Sequence, residues 1–363
     1  MKQRLLAVSL ALCACQAPPE PPEETHSTST PIIDGDPDTD DPAVVLILMQ
    51  NQTNGAKCSG TVVAPHVIAT AAHCVHPDVL ATLGADVAIY VFTGTDVNDP
   101  QQLDDDIVYV DTVAYDPDFD PESVMSNSPP LHDIGAVITK TALPMAPLPI
   151  RRSPLDETWV GRDARVVGFG LTEAGDSESA GVKQVGTVAI AGVNETHVWT
   201  DQAAPHLCGG DSGGPMLGLE NGVESLIGVH SWIEHLNSCT GEAHDVRVDT
   251  QMVAFLDPLI AEYDPGFQPP SEGTGEGGAA GGTGQGGQSV GGAEASQGGG
   301  SSAGDDDDGC SSSSSRTTGH LGALALLGVL ALRSSRRTRF HLAARVSAPS
   351  VTVRTASDGS PPA

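Results

Sequence analysis

Residues 32–263 read as an all-β domain, and three observations carry that reading. Short runs rich in Val, Ile, Leu and Ala recur through the segment. Asp-Pro pairs and glycines fill the gaps between them, and these residues favour turns. A single helical pattern stands at the end, Thr250 to Tyr263. Many short strands without long helices between them indicate a sandwich or a barrel.

The expected strands follow in chain order: Val44 to Met49, Gly60 to Val63, Val67 to Ala69, Val87 to Phe92, Ile107 to Val110, Ala136 to Ile138, Arg165 to Phe169, Gly186 to Ala191 and Leu226 to Val229. In the terminal helix, Val253, Leu256, Leu259 and Ile260 share one face at helical spacing. Aromatic residues are only 4% of the chain, so the core must rest on Val, Ala, Leu and Ile.

The two ends read as addresses. Lys2 and Arg4 precede the apolar run Leu5 to Ala14, the pattern of a secretory signal over residues 1–15. The run is too short to span a bilayer. Its end, Leu12-Cys13-Ala14-Cys15, resembles a bacterial lipoprotein box with Cys15 as the lipidated residue. Residues 16–31, rich in Pro, Glu, Ser and Thr, form a linker or propeptide. Residues 264–309 are a spacer of Gly, Ser and acid. Residues 310–339 hold Cys310, a serine run, the apolar stretch Leu321 to Leu332 and the arginines Arg333, Arg336, Arg337 and Arg339. That order resembles the C-terminal sorting tags of myxobacterial surface proteins, where the Cys is the anchoring point. Residues 340–363 follow as a disordered tail. The chain is therefore expected to be exported, with the outer membrane or cell envelope as partner through its anchors.

Charge narrows the partners further. The 363 residues carry 47 Asp and Glu against 17 Lys and Arg, a net charge of −30. Phosphate binding needs clustered cations, so a nucleic-acid partner is excluded. The acidic run at Asp36 to Asp40 lacks the Gly and distal Glu of a calcium loop, and Asp104 to Asp106 offer a long acidic loop with room for Ca²⁺. They read as solvated faces, and no metal or other cofactor is expected.

The strongest chemical signal is Gly210-Asp211-Ser212-Gly213-Gly214-Pro215. A nucleophilic serine needs an exposed side chain on a tight turn, and the glycines permit one. The string also fits the nucleophile elbow of α/β-hydrolases. Serine needs a base, and that base needs a carboxylate to orient it. His73 in Thr70-Ala71-Ala72-His73-Cys74 and Asp133 in His132-Asp133-Ile134-Gly135 supply both. The chain order His, Asp, Ser is the chymotrypsin order, whereas subtilisins run Asp, His, Ser.

With these motifs the domain resembles the trypsin/chymotrypsin family of serine endopeptidases. Ile32-Ile33-Asp34-Gly35 is similar to the mature N-terminus of that family. Cys58-Ser59-Gly60-Thr61, Gly168-Phe169-Gly170, Cys208 to Pro215 and Ser231-Trp232 match in the same order. The resemblance implies two antiparallel six-stranded β-barrels with a C-terminal helix, and protein or peptide substrates. It implies the catalytic residues His73, Asp133 and Ser212, with the backbone N–H groups of Gly210 and Ser212 as oxyanion hole. It pairs Cys58 with Cys74 and Cys208 with Cys239.

It also implies a zymogen, in which Asp211 pairs with the amino group of Ile32 freed by an activating protease. The bond to be cut, Pro31–Ile32, lacks a basic residue. His206 stands at the expected pocket floor and Ile233 follows Ser231-Trp232, which argues against Arg or Lys specificity and for small aliphatic residues. His230 is similar to the histidine of acid-specific members, and with His206 offers an acidic alternative. A catalytically silent surface binding protein on the same scaffold is the competing function. That reading expects a lost triad member, and none is lost.

Overall fold

The computed structural model describes residues 32–201 and 206–270, with the backbone of 352–355. The signal, the linker 16–31, Cys15, Cys310 and the sorting segment lie outside the described residues.

Fifteen strands are described. β1 (Asp36–Pro37) belongs to the second of two sheets. β2 (Val44–Gln50), β3 (Gly55–Val62), β4 (Val67–Thr70), β5 (Ala88–Phe92), β6 (Ile107–Tyr115) and β7 (Gly135–Thr139) form the first. Their order is β6-β5-β2-β3-β4-β7, and β6 also pairs with β7, which closes a six-stranded antiparallel barrel. Val44 to Met49 are all buried. A continuous apolar run suits a strand covered on both faces, here by the barrel interior and by surrounding structure.

The second sheet takes β8 (Asp163–Gly168), β9 (Gln184–Ala189), β10 (Gly192–Val193), β11 (His197–Thr200), β12 (Pro215–Glu220), β13 (Val223–His235) and β14 (Thr240–Arg247). Its order is β1-β9-β8-β12-β13-β14-β11-β10. A second six-stranded barrel was the expectation. Six longer strands are present, but no pairing among the described residues closes them. At its edges the two-residue strands β1 and β10 pair with β9 and β11.

β13 runs 13 residues, far beyond the expected Leu226 to Val229. Asn221 and Gly222, both at positive φ (52° and 80°), make the turn that pairs it with β12. Asn-Gly suits such a hairpin turn. Within the expected tail, the backbone of β15 (Thr352–Thr355) pairs in parallel with Thr112 to Tyr115 of β6. The remainder of 340–363 lies outside the described residues.

The C-terminal helix corrects one expectation. It runs as α-helix over Val248–Gln251, π-helix over Met252–Leu256 and α-helix over Asp257–Tyr263. Val253 is 82% exposed, while Met252 and Phe255 join Leu256, Leu259 and Ile260 in the barrel core. A π turn inserts an extra residue into the helical repeat, which rotates the face N-terminal to Leu256. Pro258, which has no N–H to donate, sits just beyond the π turn. Phe255→Ala is therefore expected to cost about 3–5 kcal/mol of stability. Val253→Ser should stay within about 0.5 kcal/mol. Urea denaturation of the two variants checks this register.

Candidate active site

His73 and Asp133 meet at one end of the first barrel. The β4–β7 register sets Thr70 opposite Gly135. His73 follows β4 in a 3₁₀ turn (Ala72–Cys74), and Asp133 lies two residues before β7. Asp133 is fully buried, at 0% exposure. Its Oδ2 faces His73 Nδ1 at 2.7 Å and its Oδ1 accepts the His73 N–H at 2.9 Å. Ser231 Oγ, on β13, donates to Oδ2 at 2.6 Å.

Burial alone would raise the Asp133 carboxyl. The His73 charge and the hydrogen bonds from His73 and Ser231 outweigh it and hold the group below the ordinary range. Ser231 thus has a role the sequence reading did not assign. It lines the cleft beside Ser212 and also donates to Asp133.

The nucleophile loop is fixed from several sides. The disulfides Cys58–Cys74 and Cys208–Cys239 are both formed. Ser59 N–H donates to Ser212 O at 2.8 Å, and Ser59 Oγ donates to Gly210 O at 3.0 Å. Gly213 has φ +82°, and a Cβ there would lie 2.1 Å from Thr70 Oγ1. No other residue fits that turn. The N–H groups of Asp211, Gly213 and Gly214 bond internally. Those of Gly210 and Ser212 have no partner among the described residues, as donors for an oxyanion must.

His73 and Ser212 line one cleft of about 390 Å3, together with His230, Ser231, Trp232 and Ile233. His206 does not line it; Leu207 and Cys208 do. Instead, the His206 N–H donates to Ile33 O at 2.8 Å. His230 is buried with its Nδ1 against Asp245 Oδ1 and, like His73 with Asp133, forms a buried histidine–carboxylate pair, one that the sequence did not reveal. Asp245 is paired in register with His230 across β13 and β14, and no motif marks it. His230 Nε2 and Asp245 Oδ2 are buried without a hydrogen-bond partner.

Asp211 is 1% exposed, and its two oxygens accept the N–H groups of Gly170 (2.8 Å) and Cys208 (2.9 Å). Burial pushes its carboxyl up to about 6, against the lowering effect of those bonds and of His230. Ile32 is fully buried with Leu155, Trp159 and Leu207. Asp116, Asp118 and His132 bring three ligand atoms within 4.8 Å of one another. Asp116 accepts the Asp118 N–H at 2.9 Å and faces His132 Nδ1 at 3.2 Å.

Residues 32–255 match the family model described as Trypsin. Among solved structures, a mutant of human heparin binding protein aligns with a TM-score of 0.48 and 18% identity, over 65% of this chain and 100% of that one. No curated protein matches the chain.

Two outcomes are expected. Ser231→Ala should lower kcat by about tenfold, because it removes a donor that holds Asp133 in place. Asp211 binds a proton more readily folded than unfolded, between 3.8 and about 6. Its stabilising contribution is complete below 3.8 and is lost as pH rises through about 6. Relative to Asp211→Asn, the wild type should lose on the order of 3 kcal/mol across that window. Denaturant titrations at both ends of the window measure it.

Proposed function

The chain belongs to the trypsin family, and from that premise we propose that it is a serine endopeptidase acting on protein or peptide substrates through an acyl-enzyme. The observation that carries the reading is the buried Asp133 bonded to His73 beside a cleft that also holds Ser212. Ser212 Oγ attacks the scissile carbonyl while His73 takes its proton. Asp133 fixes the tautomer and stabilises the imidazolium that forms. The N–H groups of Gly210 and Ser212 receive the oxyanion. His73 then protonates the leaving amine, and water repeats the sequence to release the acid.

The reading extends to specificity. The cleft is walled by Leu207, Ile233, Ala243 and the buried His230. The carboxylates of Asp211 and Asp245 each already face a hydrogen-bond donor. These features favour small aliphatic side chains over Arg or Lys at the cleaved position. Two disulfides suit an exported protein. Among the described residues no helix is long and apolar enough to cross a membrane. Anchoring through Cys15 and Cys310 is the tether this reading assigns.

Ser212→Ala is expected to abolish peptide hydrolysis while leaving the fold intact. Retention of the protein's biological role in that variant would favour a silent binding scaffold. A peptide library should show at least about tenfold higher kcat/KM for Ala or Val than for Arg or Lys at the cleaved position. A dominant gain for Glu or Asp would instead assign His230 as an anion reader.

A further inference from the structure

β13 has an open edge where it enters the cleft. It pairs with β14 from Gly228 to His235, but with β12 only as far as Val229. Ser231, Trp232, Ile233, Glu234 and His235 all line the cleft. An open strand edge accepts an extended peptide as a further strand. Glu234 supplies the carboxylate of that edge, and its side chain is 47% exposed.

The fold seats this carboxylate. Between the pairs Ile233–Ala243 and His235–Thr240, β13 advances two residues and β14 three. The extra residue makes a bulge opposite Glu234, and bulges beside active sites re-aim side chains. Gly241, in the bulge, has φ +87°, and a Cβ there would lie 2.6 Å from Glu234 Oε2. Glycine alone takes that conformation and leaves room for the carboxylate. Glu242 N–H donates to the same oxygen at 3.3 Å. The other oxygen, Oε1, stands 3.9 Å from His235 Nε2, too far for a hydrogen bond. One oxygen is therefore held, and the other is open to a donor.

The charges around it favour a cation. Among the described residues no Lys or Arg lines the cleft. Asp211, the other carboxylate there, is buried and already accepts from Gly170 and Cys208. Glu242 turns its own carboxylate to His244 Nε2 at 2.9 Å. The chain's net charge of −30 adds a field of the same sign. A strand rises about 3.4 Å per residue, which sets Glu234 roughly 10 Å along β13 from Ser231, the donor to Asp133. An extended substrate covers that length in about three residues.

We propose that Glu234 is a specificity-determining residue that selects a basic side chain, Arg or Lys, about three residues from the bond that is cut. This rests on the endopeptidase reading and adds a second position to it, apart from the cleaved residue. The test is kcat/KM of the purified full chain on peptides with Ala at the cleaved position. The positions around the third residue on either side carry in turn Arg or citrulline, which has the same shape without the charge. At one position Arg should exceed citrulline by at least about threefold at low salt, the size of a partly exposed ion pair, and high salt should shrink the gain. Glu234→Gln should remove the difference. Glu195→Gln, at an exposed glutamate outside the cleft, should keep it. A smaller ratio at every position, a ratio that survives Glu234→Gln, or one that Glu195→Gln lowers equally overturns the proposal and leaves the endopeptidase reading in place. No hydrolysis of any peptide overturns both.

Discussion

A buried carboxylate holds the two halves of the domain in register. Asp133 has no exposed surface, and an isolated charge there would cost several kcal/mol. It is tolerated because three donors converge on it, two from His73 and one from Ser231. His73 stands on the first barrel and Ser231 on the second sheet. The two bonds from His73 lie within the first barrel, and the Ser231 bond crosses between the halves. A shift of one half against the other would remove that third donor from the buried charge.

The nucleophile side obeys the same economy. Ser59, on β3 of the first barrel, reaches across to the carbonyls of Gly210 and Ser212. The Cys58–Cys74 bridge fixes the neighbouring turn that carries His73. The other barrier to loop motion is Asp211, buried in backbone N–H groups and not against a cation. A carboxylate so placed has a raised pKa because its charge is poorly compensated.

Much of this was legible in the residues, and the omissions have physical causes. The strands Val44 to Met49 and Ala136 to Ile138 announce themselves because continuous apolar runs mark buried strands. The motifs around His73, Asp133 and Ser212 stand out because short glycine-bearing strings in a fixed chain order are hard to produce by chance. The helix register failed at Val253 because periodicity assumes a constant turn, and a π turn breaks it. The Asn221-Gly222 turn signal was present and foretold a longer hairpin than the apolar run Leu226 to Val229 suggests. Asp245 could not be found beforehand, because its pairing with His230 depends on cross-strand register rather than on spacing within one motif. The resemblance puts His206 at the pocket floor, but a sequence match does not tell which neighbour faces the cleft, and Leu207 lines it.

The most direct test of the account is steady-state hydrolysis by Asp133→Asn beside the wild type, with thermal unfolding of both. If Asp133 orients His73 and stabilises its charged form, kcat should fall by about 10⁴-fold, as is known for the same change in another triad enzyme, while the variant still unfolds cooperatively. A fall of less than about tenfold in a folded variant would mean that the buried carboxylate is structural only, and the catalytic assignment of His73 and Ser212 would lose its support.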